Sequence, residues 1–258
     1  MVRVADTLSS AKPKASGRRR GRIVFWVIFA VAAVCFIVSV LWFRSITRSY
    51  YQPSFAMENS IQPGDRMFVD TGLDVRHGDL VILTLPQSGT GALPYVLRVI
   101  GLQGDRVACC DASGRVTVNN KPLSESYVYP GDQPSIAPFS VTLGKGQIWV
   151  LGDHRSIAID SRIWGPVPAA DVVGTVAAIS RGISLHFLST PQTFITAGLA
   201  PPDGRTPNFI WPVVLNILAT LALLILIVLG ITRTVIRRRR QRRGTPPRPS
   251  LDAPTMFP

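Results

Sequence analysis

Two runs without a single charged residue bracket this chain, and they restrict what the rest can be. Residues 23–43, IVFWVIFAVAAVCFIVSVLWF, are uncharged over 21 positions, and residues 209–231, FIWPVVLNILATLALLILIVLGI, over 23. As a helix, either is long enough to cross a hydrocarbon layer of about 30 Å. Trp26 and Trp42 lie near the two ends of the first run, where indole rings favour the membrane–water boundary. In the second, Asn216 and Thr220 are the clearly polar members, and Pro212 sits at the start, where a helix tolerates it. A cleavable signal peptide has an apolar region of only about 7–15 residues followed by a small-x-small site. The first run is longer and ends in the bulky VLWF. An uncleaved anchor and a second span are therefore expected.

The charge distribution agrees. The formal net charge is +13, yet residues 44–208 carry thirteen residues of each sign. Residues 1–22 hold a net of +6 and residues 232–258 a net of +7. The excess is confined to two tails, so it gives no basic face for nucleic acid. Arginines flanking apolar runs instead follow the positive-inside pattern. The expected arrangement is a multi-pass protein of the plasma membrane with both termini cytoplasmic and the intervening domain outside. Residues 1–22 are expected to be a disordered basic tail held near anionic lipid. Residues 232–258 are expected to be a basic, Pro-rich cytoplasmic tail.

Between the runs the pattern is β. After a short stalk at 44–50, β-branched segments of strand length recur at 79–85, 95–102, 106–109, 115–118, 139–143, 147–152 and 172–179. Turn signals separate them: Gly78-Asp79, Gly89 to Gly91, Gly104-Asp105, Asn119-Asn120, Pro130-Gly131 and Gly144 to Gly146. No long amphipathic helical pattern intervenes, so residues 44–180 are expected to form one mostly β, antiparallel domain. Residues 181–208, with prolines at 191, 201, 202 and 207, are expected to be a linker. Cys109 and Cys110 are adjacent and could pair or stay as thiols, while Cys35 lies in the first apolar run. Neither the cysteines nor the three histidines have metal-ligand spacing. No metal or other cofactor is expected.

Four stretches of the β region carry a resemblance. The first, within Gln52 to Asp70, reads Pro53-Ser54-Phe55-Ala56-Met57-Glu58, followed by Gly64-Asp65. The second is Gly78-Asp79-Leu80-Val81; the third is Tyr95-Val96-Leu97-Arg98-Val99-Ile100-Gly101, then Gly104-Asp105. The fourth is Gly152-Asp153-His154-Arg155, then Asp160-Ser161-Arg162 and Gly165. In order and spacing they resemble bacterial type I signal peptidase, a membrane-anchored serine peptidase. Its patterns are P-S-x-S-M-x-P-T then G-D; G-D-[VL]-V; Y-V-K-R-V-I-G then G-D; and G-D-N-R-x-x-S-x-D-S-R-x-x-G. The resemblance covers roughly residues 23–180. It implies an antiparallel β-rich extracytoplasmic domain between two transmembrane helices.

The departures fall on the chemistry. By motif position the family's serine nucleophile corresponds to Ala56, its lysine general base to Leu97, and the serine that orients the lysine to Ala158. The family's P-T becomes Asn59-Ser60. A serine hydroxyl is a poor nucleophile until a base takes its proton. A lysine serves as that base near neutral pH only when burial lowers its pKa. Leu97 keeps the aliphatic bulk and drops the amine; Ala158 drops a hydroxyl that would then lack its partner. The resemblance therefore implies a paralogue that has kept the scaffold and lost the reaction.

The resemblance also implies that Ser54 keeps an oxyanion-side polar wall and that Phe55, Met57 and Val96 line a groove for an extended peptide. Such a groove works by β-addition, which needs no catalytic pair. Partners implied are signal peptides of secreted precursors or an active paralogue, besides lipid. Gly152, Asp153, Arg155, Asp160, Ser161 and Arg162 are read as a structural loop. Asp160 and Arg162, two apart on an extended segment, can pair with each other or with Arg155 and Asp153. Ser60 reads as a turn residue, His154 as a solvated or loop-bonding residue, and Lys121 and Lys145 as solvated charges. Two other readings stand beside the inactive binder: an active signal peptidase using substituted residues, and a structural membrane protein with a vestigial groove.

Overall fold

A computed structural model describes residues 16–84, 94–202 and 206–243, with side chains described for 23–84, 94–202 and 206–239. The expected strand end at Leu85, the turn signals at Gly89 to Gly91, and most of both tails lie outside the described residues. The chain divides into two compact units, Met1–Leu41 with Pro212–Pro258, and Trp42–Trp211.

The first unit holds most of two long helices, α1 (Ser16–Ile46) and α4 (Ile210–Arg243). Their apolar stretches, Ile23–Ile46 and Ile210–Arg239, have mean hydropathies of 3.0 and 2.9 and are long enough to cross a membrane. α1 begins at Ser16, so the arginines at 18–20 and 22 fall within a helix rather than in the expected disordered tail. Likewise α4 continues to Arg243, through most of the arginines assigned to the C-terminal tail.

Inside this unit Asn216 Nδ2 donates to Ser39 Oγ at 3.1 Å, and Ser39 is fully buried. In lipid such a bond between helices is worth about 0.6 kcal/mol on average and up to about 1.7. Asn216→Leu is expected to weaken the helix pairing by that amount, read from the equilibrium unfolding of the full chain in mixed detergent.

The second unit is the β domain. It runs β1 (Thr47–Tyr51), β2 (Arg66–Asp70), β3 (Leu80–Leu83), β4 (Tyr95–Gly101), β5 (Arg106–Cys109), β6 (Thr117–Val118), β7 (Lys121–Pro122), β8 (Phe139–Thr142) and β9 (Gln147–Leu151). There follow α2 (Ser161–Trp164), β10 (Val167–Pro168), β11 (Val172–Arg181), β12 (Ser184–Phe187) and α3 (Gln192–Thr196). The larger sheet has the order β1-β2-β11-β3-β4-β9-β10 with β12 added on β11; the smaller is β7-β6-β5-β8. Every described pairing is antiparallel, as the sequence implies.

Two expectations are corrected. The 44–50 stalk is largely β1, paired along its length with β2. The 181–208 linker contains β12, which extends the main sheet, and α3, whose Phe194 is wholly buried. Both strands are mostly exposed, so they lack the continuous apolar run that marks a core strand. Cys109 and Cys110 are joined by a disulfide across a cis peptide bond.

The two larger of three apolar clusters in the domain meet at β9, whose two-residue period serves both. Ile148 and Val150 enter the cluster around Met67, Val81 and Leu97; Trp149 and Leu151 enter the one around Val107, Leu123 and Phe194.

Candidate functional site

The segment between β1 and β2 is a strap tied at its base. Gln52 N donates to Asp65 O at 3.0 Å, and Gly64 N to Gln52 O at 2.9 Å. The Asp65 carboxylate accepts from Gln62 N at 3.0 Å and from Arg181 Nη2 at 2.7 Å. That hydrogen bond from Arg181, with the guanidinium charge behind it, holds the Asp65 carboxyl below its ordinary value. A depressed acid pKa gives stability that is present above the ordinary carboxylate value and lost as pH falls through the depressed one. Arg181 is half exposed, so Arg181→Ala is expected to lower stability at pH 7 by under about 1 kcal/mol. That difference is expected to vanish when melting is repeated at acid pH, with the Asp65 carboxyl protonated in variant and wild type alike.

Within the strap the chain makes one helical turn, with Ile61 N donating to Met57 O at 2.8 Å. Residues four apart on such a turn share a face, and both Met57 and Ile61 are completely buried in the main cluster. Val96 is also buried, at 5 % exposure, whereas Phe55 is 56 % exposed. Of the three expected groove residues, therefore, only Phe55 presents a surface. Ser54 is exposed.

Ala56 ends the exposed arm of the strap and meets the 152–161 loop. Its carbonyl accepts from His154 N at 3.0 Å. Gly152 lies at the junction. A Cβ there would stand 2.2 Å from the Ala158 methyl and 2.8 Å from the Ala56 carbonyl oxygen. Arg98 is paired with Leu151, so one further step along β4 and β9 sets Leu97 beside Gly152. Leu97 is 1 % exposed and packs in the cluster with Met57 and Ile61. The three positions matched to the family's reacting groups thus converge from three separate elements, and they carry two methyls and an isobutyl.

Asn59 departs at the level of the backbone. Its φ is 91°, in a region proline cannot enter because its ring holds φ near −65°. The family pattern has proline at this position. Here Asn59 Nδ2 instead donates to the carbonyls of Tyr127 at 3.0 Å and Val128 at 3.2 Å.

A charged network buttresses the site. Arg98 donates through Nε to Asp153 Oδ1 at 2.8 Å, through Nη2 to Asp153 Oδ2 at 2.6 Å, and through Nη1 to Gly78 O at 2.8 Å. Its guanidinium also lies 4.1 Å from the centre of the Tyr127 ring. Ser60 Oγ donates to Asp153 Oδ2 at 2.5 Å and accepts from Arg98 Nη2 at 2.9 Å. Ser60 is thus part of a salt-bridge network, not simply a turn residue. Burial, with the Glu125 charge beside it, keeps the Tyr127 phenol protonated well above its ordinary value.

Of the expected loop residues, Asp160 and Arg162 pair with each other, one of the expected arrangements, while Asp153 and Arg155 take other partners. Arg155 pairs with Glu125, donating to Oε1 at 2.5 Å, and also donates to the carbonyls of Gly152 and Pro134. Asp160 caps α2 by accepting from Arg162 N, and also accepts from Gly152 N at 2.9 Å. Arg162 pairs with Asp160, through Nε and Nη2 at 2.8 Å. Asp160 and Arg162 therefore meet at a helix N-terminus and not on an extended strand. Ser161 Oγ accepts from Val150 N at 3.0 Å. His154 stacks on Tyr129, with ring centres 3.9 Å apart, and its Nδ1 lies 3.3 Å from Glu58 Oε2, outside hydrogen-bonding geometry. The Glu125 and Tyr127 contributions are invisible to motif matching, since neither residue lies in a matching stretch.

Comparison with known proteins places this architecture. Residues 21–180 match the model of the family described as signal peptidase, peptidase S26. A probable signal peptidase I-2 from Synechocystis sp. is 31 % identical over 161 residues, covering 58 % of this chain and 70 % of that protein. A signal peptidase I from Mycobacterium tuberculosis is 29 % identical over 219 residues, covering 62 % and 73 %. A solved signal peptidase I from Enterococcus faecalis is 26 % identical, covering 40 % of this chain and 97 % of its own, at a TM-score of 0.34. The match runs from the first apolar helix to the end of β11 and takes in all four motif stretches, and on it this chain belongs to the signal peptidase S26 family.

Proposed function

We infer that this protein is a membrane-held signal peptidase relative that binds extended peptides without cutting them. The observation that supports this most is the convergence of Ala56, Leu97 and Ala158 around Gly152. A hydroxyl nucleophile needs a proton acceptor within hydrogen-bond reach, and none of these three side chains can accept or donate a proton. In well-studied serine proteases most of the rate disappears when nucleophile or base is lost. Peptide binding by β-addition draws on main-chain hydrogen bonds and side-chain contacts, neither of which needs the missing groups. Phe55, exposed one residue before Ala56, is the side chain we assign to that contact.

In this reading the two apolar helices hold the protein in the plasma membrane with both termini cytoplasmic and the β domain outside. Its partners are signal-peptide ends of secreted precursors or an active member of the same family. The test uses full-length protein and a preprotein with an A-x-A site. Wild type is expected to leave the preprotein intact, and an Ala56→Ser, Leu97→Lys, Ala158→Ser variant to gain cleavage. Cleavage by wild type at the A-x-A site overturns the inactive reading. A photoreactive group at Phe55 is expected to crosslink a signal peptide; no crosslink favours a groove that no longer binds.

A further inference from the structure

The smaller sheet holds a reactive bond that lies outside the site described above. β5 runs between β6 and β8 and ends on Cys109, which is bonded through sulfur to Cys110. The two cysteines stand in different surroundings. Cys109 is buried in the cluster with Val107 and Trp149, whereas Cys110 is exposed. Both line a cavity of about 590 Å³, with Arg106, Ala108, Asp111 and Ser140 also in its wall. That volume falls within the roughly 300–1,000 Å³ typical of small-molecule sites. None of the lining residues belongs to the strap, β4 or the 152–161 loop.

The charges in the wall do not balance. Asp111 is already matched, since its carboxylate accepts from Arg115 Nε at 3.0 Å and from the Ser113 and Arg115 backbone. Arg106 is exposed and has no carboxylate partner among the described residues; its guanidinium reaches only the Ser140 hydroxyl, at 3.3 Å. Ser140 stands opposite Ala108. The guanidinium therefore leans one step toward Cys110 and stops about 7 Å short of it along the strand. One wall thus offers an exposed disulfide sulfur and an unmatched cation a short molecule apart.

We propose that this cavity is a thiol-exchange site for a low-molecular-weight thiol that carries a carboxylate. Arg106 takes the carboxylate and the thiolate attacks Cys110. A bond forms between the incoming sulfur and Cys110 Sγ, and the Cys109–Cys110 bond breaks. Its electron pair leaves on Cys109 Sγ, which takes a proton from water. A second thiolate attacking the mixed disulfide releases Cys110 as a thiolate and the small thiol as its own disulfide, so two electrons pass to the protein. Attack falls on Cys110 because exchange requires access to the sulfur. The site is independent of whether the protein binds or cuts peptides.

The experiment uses the oxidised full chain in detergent, with 3-mercaptopropionate and 2-mercaptoethanol compared at equal thiolate concentration. Samples are quenched with N-ethylmaleimide in denaturant and mapped by mass spectrometry. The first product is expected to carry the thiol on Cys110 and maleimide on Cys109. The preference for the mercapto acid, as a ratio of opening rates, is expected to fall about threefold in Arg106→Gln, the size of one exposed ion pair. Molar salt is expected to lower the wild-type ratio in the same way. Cys109→Ser treated with 3,3′-dithiodipropionate is expected to hold one stable adduct at Cys110, and Cys110→Ser to stay unmodified until denatured. The Arg106→Gln ratio is measured with both cysteines present, so it decides the matter even if a serine variant misfolds. Three results would each overturn the proposal: maleimide on both cysteines before any thiol is added, a first adduct on Cys109, or a ratio unchanged by Arg106→Gln.

Discussion

Asp153→Ala is expected to destabilise the β domain by about 3–5 kcal/mol, the range seen when one partner of a buried ion pair is removed. Asp153 is fully buried and Arg98 is 4 % exposed. Without the carboxylate, the guanidinium would keep Gly78 O, Ser60 Oγ and the Tyr127 ring but would have no counter-charge. A ring face is worth about 2 kcal/mol to a desolvated cation, too little to replace a bidentate carboxylate. Total stability is typically about 5–15 kcal/mol, so the loss would remove a substantial share of it. Removing both charges with Arg98→Met and Asp153→Leu is expected to be far milder, with Ser60 left to find a new partner. The two singles and the double form a cycle, read by denaturant unfolding with tryptophan fluorescence. A single-variant loss below about 1 kcal/mol would show that the pair is solvated and that the motif loop is held by something else.

That pair also shows where sequence reading stops. The strands β3, β4, β5, β9 and β11 were legible because each is a run of β-branched residues, and Arg106–Cys109 was placed to the residue. β1 and β12 were missed because TRSYY and SLHF lie at exposed positions and offer no apolar run. The positions of Ala56, Leu97 and Ala158 followed from motif spacing, but their convergence on Gly152 needed the crossing of strap, strand and loop. Motif position alone implies that Met57 lines a groove. The helical turn to Ile61 carries it into the core instead. Arg98 and Asp153 stand 55 residues apart, and nothing in a charge pattern links them. The positive φ of Asn59 was equally hidden, because Asn-Ser is compatible with many turns.

Leu97→Lys is expected to make stability steeply dependent on pH, and it tests the site without requiring any cleavage. Leu97 is 1 % exposed among Met57, Ile61 and Val81. An ammonium there loses its hydration, and full burial depresses a lysine pKa by up to about 3–5 units from about 10.4. The sign follows directly. The unfolded chain binds the proton more tightly than the folded one, so stability falls as pH drops below 10.4 and levels off below the depressed value. At about 1.4 kcal/mol per unit, a shift of 3 units or more removes about 4 kcal/mol at pH 7 and almost nothing at pH 10.4. Denaturant unfolding of Leu97→Lys and wild type at pH 7, 8.5 and 10 measures it; a flat difference would mean the new amine escapes to solvent. A lysine with that depressed pKa is also what a neutral general base requires. If the pH dependence appears and the Ala56→Ser, Leu97→Lys, Ala158→Ser variant still cuts nothing, the pocket is competent and the obstacle lies in the strap. Asn59, at a φ of 91° where the family pattern has proline, would then be the residue that holds position 56 away from the geometry of attack.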